Sequence, residues 1–173
     1  MGKEKYQTKV AELFTKSPVV SFDSIERMVT QRKQTTQYTK QFIRNLLLKG
    51  KIYRLAKGCY SKSDDPSLSV FCFHPSYLGL QDSLGIHNVW EQETIPIIIT
   101  SKKVRPGLRK TPSGNILIKR IDKKYMFGIS YKKSGDFYLP YSDVEKTCID
   151  FIYFNQRIDR EVLEHLQKII NKK

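Results

Sequence analysis

The chain has 173 residues, 39% of them hydrophobic, and carries 31 Lys and Arg against 17 Asp and Glu, a formal charge of +14. That length holds one large domain or two small ones with a packed core. No apolar run approaches the ~18 to 20 residues that span a bilayer, and the start MGKEKYQTKV lacks the apolar stretch of a signal peptide, so a cytoplasmic chain with no membrane partner is expected. Cys59, Cys72 and Cys148 are widely spaced and form no CxxC pair, which argues against a disulfide framework or a zinc site and for small buried side chains.

The charge is unevenly distributed. Residues 1–62 hold 14 basic and 4 acidic groups, residues 63–140 hold 11 and 7, and residues 141–173 hold 6 and 6. A net +10 in the first third is the footprint of a nucleic-acid-binding module, followed by a more neutral domain with another task.

In chain order, Val10, Leu13 and Phe14 have helical spacing, and Ser17-Pro18 ends that first helix because the residue before proline is pushed out of the helical region. SFDSIERMV follows. Ser21 or Asp23 suits an N-cap, Asp23 and Glu26 have capping-box spacing, and Phe22, Ile25, Met28 and Val29 make one apolar stripe. A polar stretch, TQRKQTTQ, leads into a third helix from Thr35 or Thr36 to Lys49, with Gly50 as its C-terminal cap. Thr39, Ile43, Leu46 and Leu47 fall on one face of it, and Gln37, Gln41 and Arg44 recur at i, i+4 and i+7 on another.

Gln pairs in bidentate fashion with adenine and Arg with guanine, while Thr, Lys and Tyr hold phosphates or contact a thymine methyl. After Gly50, KIYRLAKGCYSK suits two short strands joined by a tight turn at Ala56-Lys57-Gly58. Three helices followed by a basic hairpin make a winged helix-turn-helix. In that geometry the third helix enters the major groove and the hairpin lies on the flanking backbone. The expected fold class is α+β, an N-terminal winged helix-turn-helix over residues 1–63 followed by a mixed α/β C-terminal domain over residues 67–173. The expected DNA-binding set is Arg32, Lys33, Thr35, Thr36, Gln37, Tyr38, Lys40, Gln41 and Arg44 before and on the third helix, with Arg54, Lys57 and Lys62 on the wing.

Asp64 to Ser67, DDPS, reads as the boundary. Beyond it PSYLGLQDSLGIHNVW has a helical pattern, and TIPIIIT, NILIKRI and KYMFGISYKK have strand patterns. SKKVRPGLRKTPSG between the first two strands reads as a mobile basic loop, a second phosphate contact through Lys102, Lys103, Arg105, Arg109 and Lys110. YSDVEKTCIDFIYF opens with Ser142 and Glu145 at capping-box spacing, and DREVLEHLQKIINK gives a last helix with Val162, Leu163, Leu166, Ile169 and Ile170 as its stripe.

No catalytic set emerges. His74, His87 and His165 stand in unrelated contexts, there is no G-x-S-x-G, and the basic loop lacks the G-x-x-x-x-G-K-[ST] of a phosphate-binding loop. Neither a metal nor a cofactor is expected, and the chain is not expected to be an enzyme.

The order of segments resembles the AbiEi antitoxins, the antitoxin half of type IV AbiE toxin–antitoxin systems. The likeness rests on GKIYRLAKGCY closing the small first domain, HPSYLGLQDSLGIHN opening the second, the strands that follow, and YSDVEKTCIDFIY, where the family shows a Ser-Pro-Glu-Lys-like start leading to an Asp; Asp143 here stands where the family often has proline. It spans nearly the whole chain. The resemblance implies an autorepressor that binds double-stranded DNA at repeats in its own promoter, and a C-terminal domain that helps to neutralise a nucleotidyltransferase-like toxin without needing to bind it stably. From the residues alone three alternatives stay open: a solitary regulator, a docking subunit of a nucleic-acid-processing enzyme, and an RNA-binding regulator whose Tyr38, Tyr53 and Tyr60 stack on bases.

Overall fold

The computed structural model describes residues 2–29, 35–92 and 94–170, with side chains described from Tyr6 onward. It is a mixed α+β chain that divides into two compact units, residues 1–72 with 110–114 and residues 73–109 with 115–173.

The first unit opens with helix α1, Gly2–Lys16, which ends just before Ser17-Pro18. The strand β1, Val19–Ser21, comes next, an element that its three residues were too few to announce. Helix α2, Phe22–Val29, starts at Ser21, whose Oγ accepts the Ser24 amide at 3.1 Å. Ser21 is therefore the cap, and Asp23, already inside the first turn, does not form the capping box its spacing with Glu26 suggests. Helix α3, Thr36–Leu48, ends at Gly50, which takes a φ of +62°. The Gly50 amide donates to the Leu47 carbonyl and the Lys51 amide to that of Leu46, both at 3.0 Å, the paired bonds that close a helix on a left-handed residue. The chain then enters β2, Tyr53–Ala56, and β3, Cys59–Ser61. The two strands and β1 form an antiparallel sheet of order β1-β3-β2. Val10, Val20, Ile25, Val29, Phe42, Ile43, Leu46, Ile52 and Tyr60 make the core that α1, α2, α3 and the sheet share.

In the second unit the segment expected to be one long helix divides. Ser76–Leu78 is strand β4 and only Gln81–Ile86 is helix, α4. Leu80 between them has a φ of +58° and is wholly buried, so the helix starts late and on a backbone conformation that the pattern cannot show. Strands β5, Ile97–Thr100, and β7, Gly114–Arg120, lie where TIPIIIT and NILIKRI place them. The basic segment between them is not a plain loop, because Gly107–Thr111 forms β6. Strands β8, Ile129–Ser134, and β9, Phe137–Ser142, complete a six-stranded sheet of order β6-β7-β5-β4-β9-β8. Strand β5 runs parallel to β7 and β4 parallel to β9. Such central strands are buried on both faces, as Ile97, Ile98, Ile99 and Thr100 are.

Helices α5, Val144–Tyr153, and α6, Arg160–Ile170, pack with α4 over Tyr77, Ile97 and Ile99. Asp143 caps α5 by accepting the Lys146 amide at 2.7 Å, so the cap lies one residue beyond the expected Ser142 and Glu145 pair. On α6, Leu166 is buried while Leu163 is 40% exposed and leaves the expected stripe. Under α5 the side chains of Lys146 and Asp150 are both fully buried, and the Lys146 ammonium donates to Asp150 Oδ1. The Tyr77 hydroxyl donates to Asp150 Oδ2 at 2.8 Å. Burial pushes the Asp150 carboxyl above its ordinary range, while Lys146 and the Tyr77 hydrogen bond pull it down. Burial, with the Asp150 charge adding to it, raises the Tyr77 phenol well above its usual value.

The substitution Lys146→Met leaves that carboxylate without its cation and is expected to lower stability by about 3–5 kcal/mol at neutral pH. Because the folded pKa of Asp150 already lies above the unfolded value, its contribution is present below the unfolded pKa of about 4 and is lost as pH rises through the folded pKa. The K146M defect in urea unfolding should therefore widen as pH rises above the ordinary carboxylate range, and Lys146→Met with Asp150→Leu should recover most of it. A single variant within about 1 kcal/mol of the parent would contradict the pairing.

Candidate nucleic-acid interface

Helix α3 packs through one face and presents the other. Thr39 is wholly buried, and Phe42, Ile43 and Leu46 are almost so. On the opposite side Gln37, Gln41 and Arg44 are exposed, as i, i+4, i+7 spacing requires of a helix fixed in rotation by its core contacts. Gln41 Nε2 donates to Asn45 Oδ1 at 3.3 Å, a bond within one turn of the exposed face that holds the Gln41 amide along the helix. The stripe ends in Leu48, 75% exposed at i+11, an apolar side chain of the type that contacts a thymine methyl. Leu48 was assigned to neither face from the sequence; its position on the Gln37 phase was the available signal.

At the start of α3, Thr35 has the extended backbone of an N-cap, φ −83° and ψ 157°, but its side chain makes no capping hydrogen bond. The Tyr38 and Thr39 amides donate to its carbonyl at 2.9 and 3.3 Å. No acidic residue lies in the first turn, so the positive end of the helix dipole has no carboxylate of its own there. Thr35, Thr36 and Lys40 are exposed. Tyr38 is half-buried, packed against the core with its ring edge-on to Tyr6 at a centroid distance of 6.4 Å, which leaves less of it for a phosphate than its place in the sequence suggested. Arg32 and Lys33 lie outside the described residues.

The hairpin turns at Lys57-Gly58, where Gly58 has a φ of +77°, so Lys57 is exposed at the very tip. Arg54 is exposed on β2 and stands opposite Tyr60 of β3. Burial raises the Tyr60 phenol, with the Arg54 guanidinium opposing, so the phenol stays neutral beside a free-facing cation. The register slips between Arg54 and Ala56, the irregularity of a bulge, which adds twist to a two-stranded ribbon. Lys62, just past β3, is exposed beside Lys51 in a cleft against α1 and does not share the tip with Lys57.

The expected phosphate contacts of the basic segment after β5 divide. Lys102, Lys103, Arg105 and Lys110 are exposed. Arg109 is half-buried, its Nη2 donating to the Arg105 carbonyl at 2.8 Å and its guanidinium lying 5.4 Å from the Phe73 ring centroid, so it serves the fold. The parallel pairing of β5 with β7 sets Thr100 opposite Arg120. Lys102 and Lys103 follow β5 at that end and Lys123 and Lys124 follow β7, and with Arg120 they are all exposed. Those last three were missed because strand order, not spacing, assembles them.

The three histidines lie apart in their surroundings. His74 and His165 are exposed, and His87 Nε2 donates to the Ser142 carbonyl at 2.9 Å. Among the described residues no group of His, Cys, Asp or Glu could hold a metal ion, and no helix is long and apolar enough to cross a membrane. No protein-family model matches the chain, and no curated protein matches it either.

Because the Thr35 hydroxyl caps nothing, Thr35→Ala is expected to leave stability within about 0.5 kcal/mol, against the ~1 kcal/mol that a capping threonine usually contributes. Thermal unfolding of the variant checks this, and a loss above about 1 kcal/mol would make Thr35 a helix cap first.

Proposed function

We propose that the first unit is a winged helix-turn-helix, with α3 as its reading helix and the β2–β3 hairpin as its wing, and that the chain is a sequence-specific repressor of the AbiEi antitoxin kind. On this reading it binds double-stranded DNA at repeats in its own promoter and counters a nucleotidyltransferase-like toxin, a task that does not require a stable complex with that toxin. The observation that carries the DNA half is the exposed stripe Gln37, Gln41, Arg44 and Leu48, set on a helix whose other face is locked in the core and followed at once by a hairpin with Arg54 and Lys57 facing outward. The antitoxin half is supported by the order of motifs along the sequence.

The chemistry is divided between the two elements. Arg44 suits the O6 and N7 of guanine and Gln41 the N6 and N7 of adenine, donor and acceptor patterns unique to the major groove. Lys40, Arg54 and Lys57 neutralise phosphates and release counterions, which gives affinity without sequence preference. The exposed lysines and Arg120 at one end of the second unit's sheet would supply a phosphate contact of their own. The reaction requires no cofactor, since recognition here is hydrogen bonding and charge neutralisation alone.

Substitution separates the two contributions. Arg44→Ala and Gln41→Ala are expected to reduce discrimination between cognate and scrambled duplex by about 1–3 kcal/mol each. Lys57→Ala is expected to weaken both duplexes alike and to lower the salt slope by about 1. Equal losses on both duplexes from the α3 variants, measured by fluorescence anisotropy, would remove direct readout by that helix.

A further inference from the structure

In the first unit a cleft of about 350 Å³ runs between α1 and the end of α3. Val10 and Phe14 of α1 form one wall, and Leu46 and Ile52 form the other. Its mouth carries Lys51 and Lys62, the charged side chains among the described residues that line it. From this arrangement we infer that the cleft binds a small amphipathic anion, an apolar chain or ring ending in a carboxylate or sulfonate. The inference is independent of DNA recognition.

Three features select that ligand class. The volume falls within the range of about 300–1,000 Å³ typical of small-molecule sites. A docked protein helix would instead need a face on the order of 800 Å². The buried part of the lining is Val10, Leu46 and Ile52, with Gln7, Thr8 and the two exposed lysines as its polar part, so an apolar body is removed from water while its charged end stays hydrated. Finally, two ammonium groups at the mouth, with no carboxylate among the described lining residues, favour an anion and penalise a cation. Lys51 and Lys62 enter it from opposite ends of the β2–β3 segment, one just before the hairpin and one just after it. The hairpin's closure is therefore what brings them together.

The full-length protein can be tested with anilinonaphthalene sulfonate, which fluoresces when its rings leave water, and with decanoate as competitor. Saturable one-site binding, displaced by decanoate and not by decanol or a decyl ammonium salt, is expected. Ala11 is exposed on α1 and lines the same cleft, so Ala11→Phe should fill it without disturbing the core. That variant, and separately Lys51→Glu with Lys62→Glu, should each weaken binding by about tenfold or more while thermal unfolding stays that of the parent. Binding that is unsaturable, or unchanged in both variants, overturns the site. Displacement by decanol as readily as by decanoate overturns the anionic specificity, and displacement by duplex DNA but not decanoate would make the lysines part of a phosphate path instead.

Discussion

Thr39, Phe42, Ile43 and Leu46 turn one side of α3 into the centre of the first unit's core, and what the helix offers to solvent follows from that rotation. With the helix unable to roll, Gln37, Gln41, Arg44 and Leu48 form a fixed row, so their amides and guanidinium are presented without the cost of ordering a loose segment. The left-handed turn at Gly50 has a similar effect at the end. It reverses the chain within two residues and delivers it to β2, so the distance from Arg44 to the basic hairpin is spanned by structure closed with hydrogen bonds. A residue with a Cβ at Gly50 would meet no neighbouring atom, and its cost would lie in the backbone conformation alone.

The two units solve their interiors differently. The first has an apolar core and keeps Lys40, Arg44, Arg54 and Lys57 on the outside, in water. The second buries a charged pair beneath α5, held by a tyrosine hydroxyl from β4, a strand more than seventy residues earlier. A satisfied pair of this kind contributes little over an apolar equivalent, yet breaking it is costly. Its value is positional: Lys146 and Asp150 lie one turn apart on α5, and Tyr77 fixes which face of that helix meets the sheet. A second set of bonds, among the hydroxyls of Ser83, Ser142 and Thr147, ties α5 to α4.

Much of the first unit was legible because its signals are local. The bounds of α3, its buried and exposed faces and the two-residue turn at Lys57-Gly58 depend on spacing and on glycine, both visible in a single sequence. The short strand β1 was not legible, since three residues carry no period and its pairing with β3 is a tertiary fact. In the second unit the central strands β5 and β7 announced themselves as isoleucine runs. Strand β4 did not, because Ser76-Tyr77-Leu78 is buried on both faces and merges with the helical pattern after it. Strand β6 was hidden by its lysine and arginine, which suit an edge strand as well as a loop. Lys146 could not have been read as buried, since the residue that pairs with Asp150 alongside it lies far away in sequence. For the candidate interface, the exposure of the residues on α3 and on the β2–β3 hairpin follows from spacing, whereas it takes the parallel strand order to put Arg120, Lys123 and Lys124 at the same end of the sheet as Lys102 and Lys103.

The most direct test of sequence-specific DNA recognition is equilibrium binding of the full-length protein to duplex DNA from its own upstream region, against a scrambled duplex of equal length, over a series of salt concentrations. The account predicts that the upstream duplex binds tighter by a factor of about 10³ or more and that the preference survives as salt weakens both. Equal affinities that fall together along one steep salt slope would contradict it and leave a binder driven by charge alone.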